Sequence, residues 1–129
     1  MAEEFAIARE FTSRLDLRAA ALDQHVGNLS GGNQQKVVLS KWLFANPDVL
    51  ILDEPTRGID VGAKYEIYSI MNNLADDGRG VIMISSEMPE VLSVSDRILA
   101  MYEGKIVQEF TSETVTENGL VTAITGQAV

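Results

Sequence analysis

The middle of the chain alternates strand, helix and strand, and this pattern limits the possible folds more than any other feature. Val49-Leu50-Ile51-Leu52 runs apolar without alternation, as expected of a strand covered on both faces in a parallel sheet. Ile67, Ile70, Met71 and Leu74 then follow the i, i+3, i+4, i+7 spacing of a core-facing helix, which Asp77-Gly78 closes. Val81–Ser85 supplies a second buried strand. A strand, a helix and a second strand make a βαβ unit, so the expected fold class is α/β, with a parallel sheet and helices on its faces.

The flanking segments extend the pattern. Residues 3–14 place Phe5, Ala6, Ile7, Ala8 and Phe11 among charged residues and predict a helix, followed by loop or short helix over 15–27. A further helix is predicted over Asn33–Ala45, with Val38, Leu39, Trp42 and Leu43 on one face and Asn46-Pro47 as its stop. Ile98–Tyr102, Glu103-Gly104 and Lys105–Phe110 read as a hairpin, and Leu120, Val121 and Ile124 as a closing helix. No low-complexity tract or repeat interrupts the chain.

Charge and length exclude several functions. The 129 residues are about one domain's worth or part of one. Ten Lys and Arg stand against nineteen Asp and Glu, which argues against a nucleic-acid partner, because that binding rests on cations neutralising phosphates. The imbalance is local: residues 1–48 carry six acids and five bases, whereas residues 49–129 carry thirteen and five. No apolar run approaches the ~20 residues of a membrane span. The start Met1-Ala-Glu-Glu lacks a signal-peptide pattern. The absence of Cys suits a reducing cytosol and removes disulfides and thiolate metal sites.

Three sets of residues at element ends carry candidate chemistry. Asp53-Glu54 follows the strand Val49–Leu52. A carboxylate at that position can hold Mg²⁺ directly or through water beside a nucleotide, and its neighbour can orient or deprotonate an attacking water. Acids in such places are also ordinary solvated turn residues. Leu29-Ser30-Gly31-Gly32-Asn33-Gln34-Gln35 opens a helix, and its hydroxyl, small residues and free N–H groups suit a phosphate. A plain Ser N-cap before a flexible turn is the commoner use of these residues. Glu54-Pro55-Thr56-Arg57-Gly58-Ile59-Asp60 leads into the next helix, with Asp60 placed as its N-cap or in a loop that crosses to a partner surface.

Order and spacing make the set specific, with 23 residues from Ser30 to Asp53 and seven from Asp53 to Asp60. Leu29–Gln35 resembles the signature motif of ATP-binding cassette (ABC) ATPases, Val49–Glu54 their Walker B strand with its catalytic Glu, and Gly58-Ile59-Asp60 their D-loop. The phrases Asn28–Lys36, Asp53–Asp60 and Ser85–Glu90 are similar to the second ATPase half of tandem monosaccharide importers of the ribose, galactose and xylose type. The resemblance implies a partial P-loop NTPase fold of parallel strands with flanking helices, followed by a C-terminal hairpin and helix. Residues 1–48 would be the helical and signature segment, and residues 49–129 the Walker B, D-loop, switch and hairpin segment.

Two departures from the family pattern bear on mechanism. No Gly-x-x-x-x-Gly-Lys-Ser/Thr loop occurs in the 129 residues. Gly27 and Gly32 have its separation, but Asn33-Gln34 follow them and no strand precedes. The resemblance therefore implies the C-terminal portion of a nucleotide-binding domain whose Walker A part is elsewhere. Loss of the P-loop strand is expected to leave the Walker B strand without a neighbour and to expose a sheet edge. Second, Ser86 stands where the family usually has a switch His; it can hydrogen-bond a phosphate but cannot gain positive charge near neutral pH. His25 lies outside any such position and reads as a surface or loop residue.

In this family two domains meet head to tail around ATP and Mg²⁺. The resemblance implies that Ser30, Gly31, Gly32, Asn33 and Gln34 close over ATP held by a first nucleotide-binding domain, in the same or a partner chain. Asp53, as Mg²⁺ ligand, and Glu54 would serve this domain's own weakened site, where Ser86 replaces the switch His, and Asp60 of the D-loop would be a further nucleotide-binding residue. The implied role is to couple MgATP binding and hydrolysis to sugar uptake, peripheral on the cytoplasmic face of the membrane. The implied partners are transmembrane permease subunits and, indirectly, a periplasmic sugar-binding protein. On this reading the chain alone is inactive. A truncated cassette that only donates its signature to a partner ATPase is the alternative from another class. An ABC-type head of a DNA-repair protein is a third, disfavoured by the acidity and by the lack of coiled-coil heptads.

Overall fold

The computed structural model describes residues 1–127; Ala128 and Val129, which end the acidic segment, lie outside the described residues. The chain divides into two compact units, Met1–Ile84 and Ser85–Val129.

The first unit begins with helix α1 (Ala2–Arg14), and a loop containing the short 3₁₀ turn Val26–Asn28 leads to α2 (Gly31–Phe44). Asn46 adopts a left-handed φ of 51° just before Pro47, which ends α2. The Arg79 guanidinium donates to the Pro47 carbonyl at 2.7 Å and to the Asn46 side chain, tying this exit to the next strand pair. Strand β1 (Val49–Asp53), helix α3 (Val61–Asp76) and strand β2 (Gly80–Ile84) form the expected βαβ unit. β1 and β2 pair in parallel, from Val49 opposite Gly80 to Asp53 opposite Ile84. The predicted helix stop at Asp77-Gly78 is present, with Gly78 at φ 87°.

The core of this unit joins Leu15, Leu39, Leu43, Leu50, Leu52, Ile67, Ile70, Met71 and Leu74. Three expectations about it need correction. β1 and β2 are not covered on both faces: Leu50 and Leu52 are buried, but Ile51 is 63% and Ile82 50% exposed. The other face of the pair therefore carries Val49, Ile51, Ile82 and Ile84 uncovered. The Walker B-like strand also has a neighbour, β2, and among the described residues the two strands pair only with each other. In α2, Val38 and Trp42 face solvent, and the buried residues are Gly32, Lys36, Leu39 and Leu43. The expectation chose the apolar residues and passed over a lysine whose stem lies on the buried stripe.

The second unit has α4 (Met88–Val94), which the apolar pattern did not indicate, then β3 (Arg97–Tyr102), β4 (Lys105–Thr111) and α5 (Glu117–Ile124). β3 and β4 form the predicted hairpin, and Glu103 and Gly104 at φ 47° and 76° supply the two positive φ values of a tight two-residue turn. Ile98, Ala100, Phe110, Leu120 and Ala123 form its core, with Met88, Val91 and Leu92 of α4 packed against it. Leu120 is buried as expected, but Val121 and Ile124 are largely exposed and Ala123 takes the inner position.

Candidate functional site

The N-terminus of α2 is built by its own side chains. Ser30 is the N-cap in extended backbone, and its Oγ accepts from the Asn33 N–H at 3.4 Å and from Asn33 Nδ2 at 3.1 Å. Two acceptor bonds leave the hydroxyl proton to donate. Asn33 Oδ1 accepts from the Arg18 N–H at 3.1 Å, and Gln34 Nε2 donates to the Leu29 carbonyl at 2.9 Å. The side chains of Asn33 and Gln34 are thus engaged within the chain. The first helical N–H groups, those of Gly31 and Gly32, have no intrahelical acceptor. Ser30 and Gly31 are exposed, so a phosphate can reach this hydroxyl and the Gly31 N–H, while Gly32 is buried.

The two glycines do different work. A Cβ on Gly31 would meet nothing nearer than the Gly58 carbonyl at 3.8 Å, whereas a Cβ on Gly32 would lie 2.6 Å from Ala63 Cβ. Gly32 is therefore required for the close approach of α2 to α3. This contact brings the signature-like turn against Gly58, Ile59 and the start of α3. Asp60 caps α3, its Oδ1 accepting from the Ala63 N–H at 3.0 Å, as the sequence predicts.

Asp53 ends β1 and is exposed, opposite Ile84. Glu54 extends the ladder by one bond, its N–H donating to the Ile84 carbonyl at 2.8 Å, and then turns the chain out of the sheet with φ at 48°. Left-handed backbone at a non-glycine residue is sterically costly and recurs at functional positions. Pro55 and Thr56 are buried directly behind it and hold the turn in place. Among the described residues no three His, Cys, Asp or Glu side chains cluster as a metal cage. A single strand-end carboxylate does fit Mg²⁺, which keeps several waters and takes its remaining ligands from nucleotide phosphates.

In the second unit, Ser86 is exposed at the start of the segment leading to α4. Its neighbour Ser85 accepts from the Glu87 N–H at 3.0 Å and donates to the buried carboxylate of Glu90. His25 is exposed beside the 3₁₀ turn, as expected. Sequence reasoning missed Lys36, Ala63 and the turn at 16–18, all of which shape the α2 terminus. The spacing of Gly32, Lys36, Leu39 and Leu43 was the available signal, masked by the charge of Lys36.

The fold, a parallel βαβ unit with a C-terminal hairpin and helix, is that of ATP-binding cassettes. The ABC transporter family model matches residues 1–57. The chain is 57% identical over 126 residues to the ribose import ATP-binding protein of Rhizobium meliloti, covering 98% of this chain and 25% of that protein. It is 60% identical over 119 residues to the xylose import ATP-binding protein of Geobacillus kaustophilus, covering 92% and 24%. Among solved structures, the MJ1267 ATP-binding cassette of an ABC transporter superposes with a TM-score of 0.81 at 26% identity, covering 98% of this chain and 50% of that one. The dimeric MJ0796 cassette superposes at 0.73 with 24% identity, covering 86% and 48%. Over nearly its whole length the chain is similar to ATP-binding proteins of ABC transporters. It spans about a quarter of the length of these curated relatives and about half that of the solved cassettes.

Proposed function

We propose that residues 1–129 are the signature and Walker B segment of a cassette that couples MgATP binding and hydrolysis to sugar uptake across the cytoplasmic membrane. The observation that carries this reading is the open, capped turn at Ser30-Gly31, seated against the Gly58–Asp60 loop in a chain 54–60% identical to ribose, xylose and arabinose import ATP-binding proteins. Ser30 donates its hydroxyl proton, and Gly31 and Gly32 their N–H groups, to the phosphates of ATP held by a first nucleotide-binding domain. Asn33 and Gln34 shape that turn. The MJ0796 cassette, of the same fold, is dimeric, which supports pairing of two such domains.

This chain's own nucleotide is served by Asp53 as Mg²⁺ ligand and by Glu54, which orients or deprotonates water, with Asp60 in the loop that faces the partner. Bound Mg²⁺ supplies charge neutralisation on the phosphates. Ser86, in the usual place of a switch His, hydrogen-bonds phosphate without carrying charge, so this second site is the weaker of the two. The phosphate-gripping loop is supplied by polypeptide outside these 129 residues. Permease subunits in the membrane and an external sugar-binding protein complete the system, with this segment on the cytoplasmic face.

The assignment of the two sites is tested in the intact ATPase by comparing Ser30→Arg with Glu54→Gln. Ser30→Arg is expected to impair ATP turnover and sugar uptake more. The opposite ranking reverses the assignment, and full activity in both variants removes it.

A further inference from the structure

Lys36 is the most deeply enclosed charged side chain of the first unit, with 1% of the residue exposed, and no step above uses it. Its Nζ lies 2.6 Å from Glu66 Oε2 on α3 and donates to the Asp16 carbonyl at 2.8 Å. One ammonium therefore joins α2, α3 and the turn that follows α1. Asp16 holds a left-handed φ of 46°, and the preceding Leu15 is buried in the core. Two residues on, the Arg18 N–H donates to Asn33 Oδ1, and Asn33 Nδ2 donates to Ser30 Oγ. A continuous chain of hydrogen bonds and short backbone thus runs from Lys36 to the Ser30 hydroxyl.

A buried ion pair is weak evidence for stability, because replacing both partners by well-packed apolar residues is often neutral or stabilising. Glu66 is itself 43% exposed at its side chain, so water can take the place of its partner. What an apolar residue cannot supply is a group that donates to both the Asp16 carbonyl and the Glu66 carboxylate. Here those acceptors fix the turn at 16–18 on one side and α3 on the other.

We propose that Lys36 is a positioning residue for Ser30: by holding the Asp16 carbonyl and the Glu66 carboxylate, it sets the turn whose Arg18 N–H orients Asn33, and Asn33 orients the Ser30 hydroxyl. The proposal rests on the reading of Ser30 as a phosphate donor. Loss of Lys36 leaves the core packed and loosens the turn, so bound ATP is met by a less ordered donor.

The test uses the intact ATPase with Lys36→Met, Glu66→Gln, Asn33→Ala, the double variant Lys36→Met/Asn33→Ala, and Ser30→Arg. Lys36→Met is expected to keep its melting temperature within a few degrees and to exchange the Arg18 amide faster than the parent protein while β1 and β2 amides are unchanged. Its kcat is expected to fall about tenfold with KM for MgATP nearly unchanged, because misplacement of a transition-state contact acts on turnover. Glu66→Gln, which keeps the Asp16 bond, is expected to give the same changes in smaller measure and serves if Lys36→Met fails to fold. The double variant is expected to be no slower than Asn33→Ala alone, since both act through the same path. Unchanged Arg18 exchange, unchanged kcat in a folded Lys36→Met, or additive losses in the double variant overturn the proposal while a defective Ser30→Arg leaves the site reading standing. Full turnover in Ser30→Arg overturns the site reading and the proposal with it.

Discussion

At the residue scale, adjacent glycines separate folding from ligand access. Gly32→Ala gains up to about 1 kcal/mol of helix propensity, but overpacking against a neighbour commonly costs about 1–3 kcal/mol. With the new Cβ only 2.6 Å from Ala63 Cβ, the clash wins. Gly32→Ala is therefore expected to lower stability by about 1–2 kcal/mol in denaturant titrations, and Ala63→Gly in the same chain is expected to relieve that clash. Gly31→Ala has room at 3.8 Å, so stability should stay within about 0.5 kcal/mol of the parent, while ATP turnover of the intact ATPase is expected to fall if the proposed phosphate contact is made at this turn. Glu54 presents the converse case. Its φ of 48° suits glycine, so Glu54→Gly is expected to be at least as stable as the parent, by up to about 1 kcal/mol, although it removes the carboxylate. A clear loss of stability in Glu54→Gly would show that the side chain, not the backbone turn, holds this loop.

At the element scale, the ends were more legible than the faces. Asp60 as N-cap, Asp77-Gly78 as stop and Glu103-Gly104 as hairpin turn follow from local steric and hydrogen-bonding demands, which sequence states directly. The faces depend on what lies opposite. Leu39, buried to 1% exposure, is expected to cost about 3 kcal/mol when changed to Ala, whereas Trp42, 60% exposed, is expected to cost less than about 1 kcal/mol; thermal unfolding of the two variants checks the ranking. β1 and β2 carry the apolar composition of strands buried on two faces, yet only one face, with Leu50 and Leu52 of β1 and Val81 and Met83 of β2, packs on this chain's core. Contiguous exposed apolar surface favours association. Replacing Ile51 and Ile82 by Thr is therefore expected to raise solubility, read by light scattering, with stability changed by less than about 1 kcal/mol.

At the scale of the whole molecule, motif order carried the family, and the fold bears it out in the parallel βαβ unit and the C-terminal hairpin and helix. Geometry that depends on long-range contact was not legible. The close seat of Gly32 on Ala63 joins positions 31 residues apart, and the Lys36 pin joins three separate elements. Nothing in the local pattern states these contacts, because a lysine reads as solvated until its acceptors are known. The charge division gains meaning from the proposed site: the nearly neutral first 48 residues contain the turn proposed to meet phosphate, and the acidic remainder contains Asp53 and Glu54. Asp76, Asp77, Glu109 and Glu113 are exposed and contribute to solubility.

On the proposed function, these 129 residues supply a signature and a Walker B pair but not the loop that grips the phosphates. MgATP turnover by the purified chain tests it most directly. No turnover above background is expected, unaltered by Glu54→Gln. Robust turnover that Glu54→Gln abolishes would contradict it.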